Sequence, residues 1–492
     1  MRSKLAEILR TAEATQIAFY LFGGSMLLSI FFAVALDFYS LALFPAFFLL
    51  VFVTIVDYKA VFYLLLFCIP ISTEIVLPNG FGTDLPTEPL MIGLTAVYLI
   101  AVLHKGTKLD TSILTNPITL LLLLHIGWTL VSAITSAQVV VSIKFLLAKL
   151  WYTITFYFLA AQLLRDRQEI RRFFWLVFIP LLVTIISAIV RHKSYDFSFE
   201  FVHKILHPFY RNHVAYAAII VVFAPYLWLI WRWTKHRSLL WWGFIGIMAL
   251  FLVAIQLSYT RAAYAGVVVA IGAYFVIRWR LTKVVLALSM AGAIALVAYL
   301  TTNNKYLDFA PDYERTITHT SFDNLLEATY QMQDISTMER VYRWVAAGFM
   351  IGERPIFGFG PGNFFFFYKS YTVTSFKTYV SDNPEGSGIH SYYIMLMVEQ
   401  GIPGLLFFLL LVFYTLIRGE YIYHQLSHPR DRQLLMAALL SLIVLMTLQL
   451  INDLVETDKI GPFFFIALAI IVNLDLRRGI GLREGGGRGT EG

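Results

Sequence analysis

The sequence is poor in cysteine and in charge. Cys68 is the single cysteine among 492 residues, so no disulfide can form within the chain and a disulfide-stapled secreted domain is excluded. Charged residues make up 14% of the sequence, whereas about 25% is usual for a soluble protein. What fills the chain is apolar: 59% of the residues are hydrophobic, in runs that recur from Gln16–Leu36 to Phe463–Leu474. The sequence therefore predicts a polytopic membrane protein rather than a soluble enzyme or a disordered scaffold.

Nucleotide-binding motifs are also missing. The chain contains no GxxxxGK, and no GxGxxG that opens a helix after a strand, so no cytosolic nucleotide site is expected. The formal net charge of +7 is compatible with nucleic-acid binding, but the basic residues are spread through the short loops between the apolar runs. We therefore predict no nucleic-acid partner. Chemistry at a membrane face without a nucleotide makes a lipid-linked substrate the natural expectation.

The apolar runs predict an all-α fold with roughly 12–14 transmembrane helices, because about 20 apolar residues are needed to cross a bilayer as a helix. The lower count applies if 39–56 and 60–75, which only three residues separate, are not two spans. The predicted spans are 17–36, 39–56, 60–75, 89–103, 114–135, 143–163, 171–190, 213–231, 239–257, 262–277, 284–300, 391–417, 433–451 and 460–476.

The distribution of basic residues predicts the orientation of these spans. Lys and Arg collect in every second loop, and such loops face the cytoplasm. The loops on the other side are poorer in basic residues, as in 76–88, 136–142 and 452–459. Both termini are therefore predicted to be cytoplasmic. The basic set is Arg165, Arg167, Arg171, Arg172, Arg232, Lys235, Arg237, Arg278, Arg280, Lys283, Arg418, Arg430, Arg432, Arg477, Arg478, Arg483 and Arg488.

Composition divides the chain into four parts. Residues 1–300 are predicted as the N-terminal transmembrane helices, and 301–389 as a large outer loop with a helix near Asn324–Phe349. Residues 390–476 return to the membrane, and 477–492 form a basic, glycine-rich cytoplasmic tail. The loop is too small for a doubly wound nucleotide-binding domain, so any chemistry is expected at the outer face of the membrane.

Four arginines are candidates for a site at that outer face. Arg211 precedes one span and Arg261 lies in a tight turn between two spans, while Arg340 and Arg343 share one face of the predicted loop helix. Arginine presents a planar fork of donors that matches phosphate oxygens, so a cluster could hold a diphosphate and stabilise it as a leaving group. The alternatives are an interfacial arginine that reaches for lipid headgroups, for Arg211, and a solvated helix face, for the pair.

His390 stands where the loop meets a long apolar helix. The positive end of a helix disfavours imidazolium, so the ring is expected to be neutral and able to accept a proton from an attacking hydroxyl. The alternative is a helix cap or a packed interfacial residue. A metal is not predicted, because the outer loops hold no Asp-x-Asp pair and because His203, His207 and His213 lack a companion cysteine.

Three segments resemble the signature of the O-antigen ligase and polymerase superfamily. They are Glu353–Asn363 (ERPIFGFGPGN), His390–Tyr393 (HSYY) and Glu399–Gly404 (EQGIPG). The family carries a glycine-rich turn after a proline, then His-Asn/Ser-x-Tyr, then Glu-x-Gly-Ile-x-Gly; Ser391 stands here where Asn is more common. Leu257–Arg261 (LSYTR) is similar to the family's Ser-x-x-Arg turn.

The resemblance implies a GT-C-type membrane glycosyltransferase of the bacterial inner membrane, without metal, nucleotide or other cofactor. Such an enzyme takes a glycan from undecaprenyl diphosphate at the periplasmic face, in contact with membrane lipids. The family's essential histidine falls on His390 as the acceptor-activating base. Its diphosphate-binding arginines fall on Arg211 and Arg261, with Arg340 or Arg343 as a third.

Members of this superfamily differ in the acceptor that receives the glycan. We expect an O-antigen ligase of lipopolysaccharide biosynthesis that transfers to lipid A-core oligosaccharide, because a single large outer loop precedes the histidine. A polymerase that extends O-antigen or exopolysaccharide, and a protein O-oligosaccharyltransferase, are alternatives of the same fold. A transporter of lipid or polysaccharide is an alternative of another class, prompted by Lys144, Lys149 and His125 within predicted spans. A purely structural membrane protein would leave the arginines unexplained.

The glycines of the first motif have two interpretations. Gly358, Gly360 and Gly362 flank Pro361 and could let the backbone approach a substrate closely. Alternatively, the turn simply requires positive φ angles. Glu399 is expected to be structural, and Gly401, Pro403 and Gly404 to bend or restart the helix.

Overall fold

The computed structural model describes residues 12–36, 52–76, 82–103, 110–309, 335–377, 381 and 388–486. Helices dominate this part of the chain. They are α1 (Ala12–Ala35), α2 (Tyr58–Cys68), α3 (Thr87–Leu103), α4 (Thr111–Leu114), α5 (Pro117–Ile134), α6 (Val139–Thr153), α7 (Ala160–Leu163), α8 (Arg167–Lys193), α9 (Val202–Leu206), α10 (His213–Trp233), α11 (Leu239–Leu257), α12 (Arg261–Arg278), α13 (Thr282–Thr301), α14 (Ile335–Glu353), α15 (Phe364–Phe367), α16 (Tyr392–Gln425), α17 (Pro429–Leu448) and α18 (Gly461–Gly486).

Short pieces complete the described elements. A turn of helix covers 52–56, and a π-helical segment, Ile154–Leu159, joins α6 to α7. The 3₁₀ segments are Ile69–Ile71, Phe199–Phe201, Thr302–Phe309, Tyr368–Tyr371 and Thr374–Phe376. Two strands, β1 (Thr73–Val76) and β2 (Gly82–Leu85), pair antiparallel with Thr73 opposite Leu85. β1 replaces the end of the predicted span 60–75, and β2 lies in the predicted loop 76–88.

The prediction of an all-α polytopic membrane protein is confirmed. Nine helical segments of the described chain are long and apolar enough to cross a membrane, and three shorter apolar helices accompany them. The predicted span 39–56 lies mostly outside the described residues. The nine segments are Pro117–Ile134, Val139–Leu163, Arg167–Lys193, His213–Trp233, Leu239–Leu257, Arg261–Arg278, Thr282–Asp308, Tyr392–Gln425 and Pro429–Leu448.

The centre of the bundle is formed by α10, α17 and α18. The apolar windows of α10 and α17 are 72% and 78% buried, whereas that of α13 is 0% buried, so α13 presents its apolar side chains to lipid. Small residues bring the central helices together, as is common between membrane helices. Gly266 of α12 faces Val221 of α10 and Val444 of α17, and Ser441 of α17 donates to the carbonyl of Val222 at 2.8 Å.

The long helix α16 is broken near its start. Gly401 has a φ of +71°, and a Cβ there would overlap the carbonyl of Ile356. The N–H of Ile402, which the break separates from its helical partner, donates instead to the carbonyl of Pro355 at 2.8 Å. The chain that follows α14 therefore fills the break in α16 and attaches the loop to the membrane bundle.

The loop region 301–389 has a small apolar core of its own in its described part. The helix predicted near Asn324–Phe349 is α14, which begins at Ile335; residues 324–334 lie outside the described chain. Tyr342, Phe359, Tyr368 and Ile389 are buried together there. At the other end of the chain, α18 continues to Gly486, past the predicted end of the last span.

Candidate functional site

His390 is held in a fixed backbone segment between α14 and α16. On one side, Arg343 Nη1 donates to the carbonyl of Gly388 at 3.1 Å and Trp344 Nε1 donates to that of Ile389 at 3.0 Å. On the other side, the N–H of Tyr392 lies 3.0 Å from the carbonyls of Gln449 and Asn452 beyond α17. His390 itself has a φ of +57°, a left-handed conformation that costs a non-glycine residue about 1 kcal/mol or more. Contacts on both flanks keep it there.

The electrostatic surroundings keep the His390 ring neutral. Burial, followed by the positive charges of Arg340 and Arg343, lowers the pKa of His390 to about 3. A neutral histidine was expected from the sequence, but on the ground of a helix end. The structure gives different causes: burial and two cations.

Arg343 and Arg340 have different surroundings although they are one helical turn apart. Arg343 is buried, donates to Gly388, and forms an ion pair with Glu339 at 3.5 Å. Glu339 in turn accepts from Ser381 Oγ at 2.7 Å. Arg343 therefore braces the segment before His390. Arg340 is only half-buried, and its positive charge interacts electrostatically with two histidines, His390 and His213.

Arg261 belongs to the same cluster. It begins α12 directly after a short turn from α11, and its charge, together with that of Arg340, acts on the ring of His213 at the start of α10. The neighbouring Thr260 Oγ1 donates to the His213 carbonyl at 3.3 Å. The N-termini of α10 and α12 therefore lie together, and the structure brings Arg261, Arg340, Arg343 and His390 to one end of the bundle.

His213 is a member of this cluster that the sequence analysis considered only as a metal ligand. Its Nδ1 lies 3.2 Å from His203 Nε2. The signal available in the sequence was its place at the start of a span, close after Arg211. Within the described residues, no group of three or more His, Cys, Asp or Glu side chains is arranged to hold a metal ion.

Arg211 has different surroundings from the other three arginines. Its side chain is 68% exposed, and its nearest acidic partner is Glu74 of β1 at 3.9 Å. It is not among the arginines whose charge acts on His213 or His390. The hairpin that carries Glu74 was not foreseen from the sequence, and neither was this pairing.

The glycine turn is packed against the protein's own chain. Gly358, Gly360 and Gly362 all have positive φ angles, and a Cβ on Gly358 or Gly360 would overlap Glu399 or Ser136. The Glu399 carboxylate accepts the backbone N–H of Gly362 at 2.9 Å and of Phe364 at 3.2 Å. These contacts favour the second interpretation of the turn, and they give Glu399 a structural role.

A buried network of opposite charges lies beside the segment that follows His390. Lys149 Nζ of α6 lies 3.0 Å from Glu456 Oε1 and 3.2 Å from His125 Nε2. Tyr392, two residues after His390, donates its hydroxyl to the same Glu456 oxygen at 3.1 Å. Lys149 and His125 prompted the transporter alternative, but the structure makes them partners of each other and of Glu456, which the sequence could not show.

Asp453 was also missed by sequence reasoning. Its carboxylate packs against Gly388, where a Cβ would overlap an Asp453 oxygen. Burial raises the pKa of Asp453 to about 6, with Glu456 raising it further and Arg343 acting in the opposite direction. A carboxylate that titrates near neutral pH therefore lies against the backbone before His390. The sequence signal was the acidic run 453–458 in a short loop.

Comparison with known proteins finds a family model that matches part of the chain. Residues 246–409 match the family model described as O-Antigen ligase. The match includes Arg261, Arg340, Arg343, the glycine turn and His390, whereas Arg211 and His213 lie before it. A search of curated proteins finds no match. The resemblance seen in the sequence is thus confirmed, and the matched segment of this multi-pass membrane protein belongs to the O-antigen ligase and polymerase superfamily.

Proposed function

We propose that the protein is a glycosyltransferase that moves a glycan from undecaprenyl diphosphate to a hydroxyl of lipid A-core oligosaccharide, at the periplasmic face of the inner membrane and without a metal. The family match supports ligase- or polymerase-type glycosyl transfer in general. The observation that carries the proposal is the neutral His390 beside Arg340, with Arg261 at the same end of the bundle.

In the proposed reaction, the guanidinium groups of Arg261 and Arg340 bind the donor diphosphate, and Arg343 holds the His390 segment in place. The acceptor hydroxyl oxygen forms a bond to the anomeric carbon of the glycan, while the bond from that carbon to the diphosphate oxygen breaks. The hydroxyl proton passes to His390, and undecaprenyl diphosphate leaves with the electron pair of the broken bond. Positive charge at the diphosphate stabilises this leaving group.

Donor binding also prepares the base in this scheme. A histidine with a pKa of about 3 is a weak base. A bound diphosphate brings negative charge next to Arg340 and Arg343 and offsets the repulsion that these cations exert on imidazolium. His390 is therefore expected to become more basic once the donor is bound, when a proton must be accepted. We assign the choice of acceptor to the loop 301–389, which ends at this histidine.

The test is transfer by the purified full-length protein, with EDTA present, from an undecaprenyl-diphosphate-linked glycan to lipid A-core. We expect wild type to transfer, and His390→Gln to lose about 10²–10⁴ of the rate, which is the usual contribution of a general base. Arg237→Gln removes an exposed arginine from the turn that follows the far end of α10. It serves as the matched control and should keep the wild-type rate.

Each other result has a distinct meaning. Extension of the donor glycan without transfer to lipid A-core identifies a polymerase, and transfer only to a Ser or Thr of a protein identifies an O-oligosaccharyltransferase. A folded His390→Gln variant with the wild-type rate overturns the assignment of the base. Activity that EDTA abolishes and a divalent ion restores overturns the metal-independent mechanism.

A further inference from the structure

An arginine-lined cavity lies between four helices. Its volume is about 200 Å³, and its walls come from α10, α12, α16 and α17. The side chains that matter for the argument are Arg232, Arg432, Gln433, Trp228, Tyr274 and Tyr423. Ligand pockets for drug-sized molecules are usually about 300–1,000 Å³, so this cavity suits a small polar group better than an oligosaccharide.

This cavity is at the opposite membrane face from His390. Helix α10 begins at His213, beside Arg261 and Arg340, and Arg232 lies in its last turn. At 1.5 Å per residue, Arg232 is about 29 Å along the axis from His213. The hydrocarbon core of a bilayer is about 30 Å thick. The cavity therefore cannot be part of the candidate active site.

The cavity has an excess of positive charge. The Arg432 guanidinium stacks over the Tyr423 ring at 5.0 Å, so its position is fixed by an aromatic face rather than by an acid. The adjacent carboxylate, Asp431, is engaged elsewhere, with Arg167 at 3.0 Å and Arg477 at 3.7 Å. In the part of the chain that the structure describes, no carboxylate forms an ion pair with Arg232 or Arg432. Two cations beside one cavity favour an anion.

The remaining walls are those of a membrane interface. Trp228 and Tyr274 meet edge to face, with ring centroids 6.1 Å apart, and both belong to spans that end at this level. Aromatic side chains of this kind sit at the level of lipid headgroups. An anion that enters beside these rings lies next to the acyl chains of the bilayer. A lipid phosphate carries acyl chains that fit this position, whereas a dissolved phosphate has none.

We propose that this cavity binds the phosphate of an anionic phospholipid headgroup, with Arg232 and Arg432 as the cationic contacts and Gln433 as a further donor. The proposal is independent of the transferase reaction. Because the bound lipid would contact α10, α12, α16 and α17 at once, we expect it to raise the thermal stability of the purified protein.

The experiment is lipid titration of the detergent-purified full-length protein, followed by native mass spectrometry. Phosphatidylglycerol is compared with zwitterionic phosphatidylcholine. At about 1 kcal/mol per basic residue near an anionic lipid, the double variant Arg232→Gln/Arg432→Gln should weaken phosphatidylglycerol binding about 30-fold. Phosphatidylcholine binding should not change.

The matched control removes the same charge from the same end of the bundle. Arg237 and Arg430 are exposed and do not line the cavity, so Arg237→Gln/Arg430→Gln should shift binding less than about threefold. Equal weakening by both double variants would mean diffuse electrostatics and would overturn the proposal. Displacement of the lipid by millimolar inorganic phosphate would also overturn it, because the site would then serve a soluble anion. A variant whose Tm without lipid equals that of wild type is folded, so this measurement accompanies each titration.

Discussion

Two polar regions lie close to His390, and they differ in how their charges are balanced. In the first, Arg261, Arg340 and Arg343 meet near His213 and His390, and Arg343 forms an ion pair with Glu339. In the second, Lys149 is matched by Glu456 at 3.0 Å, and Tyr392 donates to the same carboxylate. The second region pairs opposite charges and holds the chain that follows His390, although His125 Nδ1 and Glu456 Oε2 have no hydrogen-bond partner among the described residues. Several guanidinium groups at one place match the oxygens of a diphosphate, which is the physical basis for assigning the donor diphosphate to the first region.

The largest effect is expected from unbalancing the second region. Lys149→Met leaves Glu456 buried without its cation, and breaking a buried pair in this way typically costs about 3–5 kcal/mol. We expect a large loss of folded protein, measured as yield and Tm in detergent. The double variant Lys149→Met/Glu456→Gln removes both charges. Its amide oxygen can still accept the hydrogen bond that the Tyr392 hydroxyl donates, so the variant should recover most of the stability. A double variant as unstable as the single one would contradict the charge-balance argument.

Removing charge from the first region should affect catalysis and leave the fold intact. Arg340→Gln is expected to lower kcat/KM by about 10²–10³, as the loss of one donor to a developing negative charge does in other enzymes. Tm should change little, because Arg340 is only half-buried. Arg237→Gln is the control. A variant that loses stability but keeps its rate per folded molecule would show that Arg340 is structural.

The pH dependence should separate the free enzyme from the donor complex. Burial and two arginine charges lower the pKa of His390 to about 3 in the free protein, and a bound diphosphate offsets those charges. Since kcat/KM reports the free enzyme and kcat reports the complex, the acid limb of kcat should lie at the higher pH.

The control for this measurement is Asp453→Asn. Burial raises the pKa of Asp453 to about 6, so an acid limb that belongs to this carboxyl disappears in the variant and one that belongs to His390 remains. Coincident limbs in both profiles would show that the donor does not change the basicity of His390.

The smallest effect is expected at Arg211. Its exposed guanidinium is 3.9 Å from Glu74, and exposed pairs of this kind contribute about 0–1 kcal/mol. We expect Arg211→Gln to change kcat/KM by less than about threefold. A loss as large as that of Arg340→Gln would place Arg211 in the donor site, as the resemblance implied, and would require the β1–β2 hairpin to move when the donor binds.

The membrane fold could be predicted because its signal is local. Each span is a run of apolar residues. The glycines and the proline of EQGIPG likewise predict the break in the helix at Gly401. The hairpin Thr73–Val76 and Gly82–Leu85 was missed because strands of four residues are too short to show alternation.

Part of the candidate site could be selected from the sequence. His390, Arg261 and the Arg340/Arg343 pair could be selected because they lie on the predicted outer side, where the short loops are poorer in basic residues. Glu456 and Asp453 could not, since they lie far along the chain from His390 and only the packing of α16 against the end of α17 brings them near. The contact of Arg211 with Glu74 likewise could not be predicted, because it depends on the β1–β2 hairpin.

The break in α16 has a consequence for biosynthesis. Backbone groups left open in a membrane cost several kcal/mol each, so the N–H of Ile402 needs its partner as soon as α16 enters the bilayer. That partner, the carbonyl of Pro355, is synthesised earlier than α16, and the ribosome therefore delivers the acceptor before the donor that requires it. We therefore expect membrane insertion of α16 and docking of the preceding loop to be coupled, and the histidine between them to be placed in the same step.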